Sequence, residues 1–126
     1  RGLYEAMASH SRLGVNVAAD VGHHDGYSAP LGILPACARL LDGLPAWFIG
    51  VRCPIEVIMA RRLATWGADY AEARAVQVQR FQEQVHIPGI YDLEVDTSRL
   101  SPEACADLIR ERLDAPPSAL QRLAAT

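Results

Sequence analysis

The sequence predicts an α/β protein built on a parallel sheet, with about three strands and flanking helices. Three observations carry that reading. Short apolar, β-branched runs alternate with helical patterns, which is the signature of crossover-connected parallel strands. Residues 46–51, Ala-Trp-Phe-Ile-Gly-Val, are apolar without interruption, as a strand covered on both faces requires. Proline stands at the openings expected of two helices, at Pro54 and at Pro102 after Ser101, where its fixed φ and missing N–H suit a first turn.

Taken in order, residues 3–10 form a helix with Leu3, Ala6, Met7 and His10 on one stripe. Gly14 is placed to end it. Residues 15–19, with Val15 and Val17, read as the first strand, and Asp20 stands at its carboxyl end. Residues 22–30 are a loop holding His23, His24, Asp25, Gly26, Tyr27 and Ser28. Residues 31–41 are helical, starting nearer Leu34 because Pro35 belongs in a first turn. Asp42-Gly-Leu-Pro45 turns the chain into the second strand, and Pro54 opens a helix with Ile55, Ile58, Met59 and Arg62 on one side. Residues 68–85 are a longer, more polar helix, broken at Pro88-Gly89. Residues 92–95 are the third strand. Ser101 caps the next helix, in which Leu108, Ile109 and Leu113 face inward. Residues 1–114 therefore make the α/β unit, and 115–126, opening on Pro116-Pro117, are a tail or weak extra helix.

Composition narrows the function classes. A chain of 126 residues that is half apolar fits one domain. A net charge of −3 with no basic run argues against nucleic acid. No apolar stretch approaches the roughly 18 residues of a membrane span. Cys37, Cys53 and Cys105 are odd in number and widely spaced, against a disulfide framework or a zinc knuckle and in favour of a reducing, cytoplasmic setting. The 12 basic residues are all arginine. A G-x-x-x-x-G-K-[ST] phosphate loop needs a lysine for the β/γ-phosphates, so this chain holds none.

Ligands of open α/β sheets bind beyond the carboxyl ends of the strands. Asp20 and the loop after it, Arg52, and Asp96-Thr97-Ser98 reach that edge. An acid, an arginine and short hydroxyls there suit a phosphorylated ligand with Mg²⁺. Each also has a structural reading: Asp20 as a turn cap, Arg52 paired with Asp96 or capping a helix, and Arg61, Arg62, Arg74 and Arg80 as a solvated helix face. His23-His24-Asp25 invites metal ligation, but adjacent histidines diverge and no third ligand is at zinc spacing. No G-x-S-x-G or C-x-x-C is present, which argues against a serine hydrolase and thiol redox chemistry.

Phe48-Ile-Gly-Val-Arg-Cys-Pro-Ile-Glu-Val57 and Tyr91-Asp-Leu-Glu-Val-Asp-Thr-Ser98, with Val85-His86 upstream, resemble the chloramphenicol phosphotransferase-like kinases. Leu100-Ser-Pro-Glu-Ala-Cys-Ala106 and Val17-Ala-Ala-Asp-Val21 continue the resemblance. It implies the parallel sheet of a P-loop kinase, incomplete in this chain, with family strand order 2-3-1-4-5. It implies ATP, Mg²⁺ and γ-phosphoryl transfer to a small-molecule alcohol. It places Asp20 as the catalytic acid near the metal, and His23, His24, Asp25 and Tyr27 against the acceptor. It places Arg52, Arg61, Arg62 and Thr97 on the nucleotide side, Arg61 and Arg62 at the base of a lid. That lid often carries an Arg-Gly-Asp-Arg segment, where this chain has Thr65-Trp-Gly-Ala-Asp-Tyr70, without arginine. On this reading the phosphate loop, the first helix, the second strand and the proton-accepting aspartate lie upstream of Arg1. The chain supplies strands 3, 4 and 5, and the place of strand 1 between 3 and 4 is filled by an upstream segment or a second copy. The expected function is a fragment of an ATP-dependent O-phosphotransferase, inactive alone. The alternatives are a non-catalytic ligand- or partner-binding module derived from that fold, and a metal-dependent hydrolase using Asp20, His23, His24 and Asp25.

Overall fold

The structure is a computed structural model and describes residues 1–22 and 31–126. Its elements are α1 (Gly2–Arg12), α2 (Ile33–Leu40), β1 (Ile49–Arg52), α3 (Ile55–Trp66), α4 (Ala68–Val85), β2 (Leu93–Asp96), α5 (Pro102–Arg112) and α6 (Ala119–Ala124). β1 and β2 pair in parallel, Ile49 opposite Leu93 and Arg52 opposite Asp96. The result is an α/β arrangement with a two-stranded parallel sheet and flanking helices.

The local chemistry of the sequence sets most of the ends. Gly14 follows the α1 cap at φ +79°, a left-handed turn. Gly32 precedes α2 at φ +59°, and Pro35 lies in that helix's first turn. Ser101 caps α5, its Oγ accepting from the Ala104 N–H at 3.1 Å, with Pro102 behind it.

Among the described residues the sheet has two strands, one short of the expected three. Residues 15–19 are not a strand, and this corrects the placing of Asp20 at a strand's carboxyl end. The cause is the absence of a partner: among the described residues the segment makes no ladder hydrogen bonds beyond the Val15 N–H, which donates back to the His10 carbonyl. β-branched composition favours a pleated surface but does not make a strand without a second one to pair with. Val15 and Val17 are accordingly exposed.

The main core is helical. Tyr4 and Ala8 of α1, Cys37, Ala38 and Leu41 in and after α2, and Leu120 and Leu123 of α6 form one buried cluster, with Phe48 and Ile90 packed against it. Residues 115–126 thus do more than trail behind the sheet: Leu123 is 1% exposed. Asp92, its side chain 0% exposed, ties this corner to the sheet. Its Oδ2 accepts from the Phe48 N–H at 2.8 Å. Its Oδ1 accepts from the N–H groups of Ser118 and Ala119, at 2.8 and 3.1 Å, and from Arg112 at 3.3 Å. A buried carboxylate survives because it is paired and hydrogen-bonded on both oxygens. α5 turns Cys105 inward, while Leu108 and Leu113, expected inside, are 36% and 45% exposed.

Candidate functional site at the carboxyl ends of the paired strands

Because β1 and β2 are parallel, their carboxyl ends share one edge, and Arg52 and Asp96 end them side by side. Arg52, Cys53, Pro54, Gln82, His86 and Asp96 line an open depression of about 270 Å³ there. The Thr97 N–H donates to the Arg52 carbonyl at 3.0 Å, extending the ladder one residue past the strand. Arg61, the seventh residue of α3, reaches across and donates to the Thr97 hydroxyl at 2.9 Å and to its carbonyl at 2.6 Å. This clamp fixes the turn that follows β2.

Asp96 organises the same turn. Its Oδ1 accepts from the Ser98 hydroxyl at 2.6 Å and the Ser98 N–H at 2.8 Å. The Ser98 hydroxyl first, and its N–H second, hold the Asp96 carboxyl below its ordinary value against desolvation, with Arg99 and Arg61 adding to the effect. Arg52 does not pair with Asp96. Its Nε donates to Glu94 at 2.7 Å, one pleat back on the same face, and its guanidinium lies 5.8 Å from the Tyr91 ring centroid.

His86 lines the depression, and its Nδ1 is joined to the Tyr91 phenol oxygen by a 2.6 Å hydrogen bond. Burial, then the Arg52 guanidinium, push His86 below its ordinary value, Glu94 opposing. Burial pushes the Tyr91 phenol up, with Arg52 opposing and Glu94 adding. The neutral imidazole and neutral phenol are both favoured, so this pair is polar but uncharged. Gly50 makes it possible: a Cβ there would stand 2.7 Å from the Tyr91 ring. The glycine lets the ring lie flat on β1.

The residues singled out in the sequence separate into three groups. Arg52, Arg61 and Thr97 meet at the edge. Arg62 lies away from it, over the Trp66 ring at 5.4 Å on the α3–α4 arm. Asp20 is exposed in the unpaired segment, and His23, His24, Asp25 and Tyr27 lie outside the described residues. The sequence reading missed His86–Tyr91 as a coupled pair. The signal was a histidine and a tyrosine flanking Pro88-Gly89, a turn that folds the chain back on itself.

The model of the chloramphenicol phosphotransferase-like proteins matches residues 1–114. The chain belongs to the chloramphenicol phosphotransferase-like family. No curated protein and no solved structure matches it. Kinase-like phosphoryl transfer, with nucleotide and metal, goes with this family in general. The described residues do not by themselves fit that pair of ligands. No lysine is present, Arg52 and Arg61 are engaged with Glu94 and Thr97, and among the described residues no three His, Cys, Asp or Glu side chains gather as a metal site. Also among these, no helix is long and apolar enough to cross a membrane.

Proposed function

We propose that this chain is one part of an ATP-dependent small-molecule O-phosphotransferase, the part that carries the β1–β2 ligand edge, and that it does not transfer phosphate alone. The observation that supports this most is the family match over residues 1–114 in a chain with no lysine. The phosphate-cradling loop, with its lysine and the P-loop fold around it, then comes from outside residues 1–126. It enters at the edge of β1 away from β2, where among the described residues no strand pairs and a further parallel strand finds backbone to bond. A flanking segment can supply both the strand and the loop, whereas a second copy of the chain, which has no lysine either, can supply only the strand. Adjacency of β1 and β2 agrees with strands 4 and 5 of the family order. In that assembly Arg61 and Thr97 support the nucleotide side and Asp20 the metal side. Residues 23–27 face the alcohol. The free cysteines suit a cytoplasmic setting.

The test is γ-phosphoryl transfer from ATP to a panel of alcohols, chloramphenicol included. The chain alone gives no turnover. Co-expression with a polypeptide carrying a Gly-rich Lys-Ser or Lys-Thr loop restores it, and Asp20→Asn then lowers the rate more than His23→Ala does. Turnover by the chain alone overturns the reading. A second reading, a non-catalytic binding module, draws on the commitment of Arg52 and Arg61 to protein partners. It predicts ligand binding at the edge with no turnover in any complemented form.

A further inference from the structure

His86 caps the carboxyl end of α4 and stands where that helix meets both strands. Its Nδ1 lies 2.6 Å from the Tyr91 hydroxyl, and the two rings meet edge to face with centroids 5.8 Å apart. The Tyr91 ring rests on Gly50 of β1, and the Arg52 guanidinium lies 5.8 Å from its centroid. Arg52 in turn donates to Glu94 of β2 at 2.7 Å. One imidazole therefore ties the end of α4 to both strands through a phenol, a guanidinium and a carboxylate. The tie matters because α4 buries only Ala71 and Val78, and neither lies in its last turn.

The tie suits a neutral ring. Among the described residues the Tyr91 phenol has no hydrogen-bond partner other than Nδ1, so it donates to that nitrogen, which assigns the ring proton to Nε2. A proton arriving on Nδ1 turns that acceptor into a donor facing a donor, and the phenol must turn its O–H away. It also sets an imidazolium beside the Arg52 guanidinium in a partly buried place, where like charges are poorly screened. Glu94 and the carbonyl end of α4 favour the charged ring, but Glu94 is already paired with Arg52. Asp96, which lines the depression with His86 and Cys53, is held by Ser98. Glu83, one turn back on α4, accepts from Gln79. Burial first, and Arg52 second, accordingly hold His86 below its ordinary value.

We infer that His86 is a proton-operated latch at the root of the α3–α4 arm, holding the last turn of α4 on Tyr91 and β1 when neutral and releasing it when protonated. On release the imidazolium competes with Arg52 for Glu94. The released ring takes up its proton at the ordinary 6.5 and the held ring only below it, so the hold is intact above 6.5 and weakens as pH falls from there. Acid therefore loosens one wall of the depression at the strand ends, the wall that His86 and Gln82 supply opposite Arg52. The latch does not depend on the chain taking part in phosphoryl transfer.

An NMR titration of the whole chain between about pH 8 and pH 5 tests this. The His86 ring should titrate with a midpoint below 6.5. The amides of Gln84 and Val85, the Tyr91 ring and the Arg52 Nε resonance should move with that same midpoint, and the two amides should lose protection from exchange as they do. His86→Gln should remove the shared midpoint from all of them, while His10→Gln on α1 should leave it in place. Arg52→Gln takes away the repelling cation and frees Glu94, so the His86 midpoint should rise. Glu94→Gln does the reverse, and the midpoint should fall. A generally loosened fold would not give opposite signs. The inference is overturned by a wild-type midpoint at or above 6.5, by edge resonances that ignore the His86 titration, by a shared midpoint that survives His86→Gln, or by shifts of one sign in both charge variants. The wild-type titration needs no substitution, so a variant that does not fold leaves the test standing.

Discussion

The α1–α2–α6 corner and the α3–α4 arm are both helical, yet they are held by different physics. The corner buries a continuous cluster from Tyr4 to Leu123. The arm is longer, with 12 residues in α3 and 18 in α4, but α3 buries no residue and α4 only Ala71 and Val78. Its large apolar side chains, Leu63, Trp66 and Val76, stand half or more exposed. Its charged side chains carry the specific contacts, from the Arg61–Thr97 clamp to the stacked Arg62 and Arg74. The difference teaches that the corner is frame and the arm an exposed surface: stability comes from apolar burial, while the arm's specific contacts come from oriented cations.

The sharpest test of the frame is Asp92→Ala. It strips four donors of their buried acceptor and should cost about 3–5 kcal/mol of unfolding free energy in urea, as loss of one partner of a buried pair does. Next, Leu123→Ala in the corner should cost about 2–5 kcal/mol, whereas Leu63→Ala in the arm should stay within about 0.5 kcal/mol. Equal losses would erase the distinction.

A pH titration reads the corner independently. Burial, with Cys37 adding, pushes the Tyr4 phenol up to about 12 from an ordinary 10.0. The folded state then holds a proton that the unfolded chain releases, so stability is intact below pH 10 and falls as pH rises from there toward about 12. The loss is on the order of 2 kcal/mol, and Tyr4→Phe should abolish this part of the alkaline decline. At the edge, Gly50→Ala should cost about 1–3 kcal/mol by overpacking against Tyr91. The same variant should displace the His86 ring resonances in an NMR spectrum, whereas unchanged resonances would mean the ring does not rest on β1. The smallest effect belongs to Arg61→Gln, about 0.5–1.5 kcal/mol for the exposed clamp on Thr97. A larger loss would make α3 part of the frame.

Local chemistry made much of this legible from residues alone. α4 runs over residues 68–85 as its helical pattern and the following Pro88-Gly89 indicate. Ser101 and Pro102 open α5 as capping chemistry requires. Adjacent parallel β1 and β2 follow from apolar runs separated by helices. Arg52 and Thr97 meet at one edge because strand ends in a parallel pair point the same way. The partner choices were not legible. Arg52 took Glu94 over Asp96 because Asp96 is occupied by Ser98 in its own turn.

What the sequence by itself determined is therefore what depends on neighbours a few residues away: helix ends, turns, the absence of a phosphate-loop lysine, and the family. Tertiary structure decided what depends on distant partners. Residues 15–19 have strand composition but, among the described residues, no strand to pair with, and pairing is a property of two segments. A short C-terminal helix with Leu120 and Leu123 entered the core because a buried Asp92 accepts from the N–H groups at its start, across 26 and 27 residues of chain. Arg62, Arg74 and Arg80, spread along two helices, read as a solvated face, and only packing α3 against α4 brought them around one open depression.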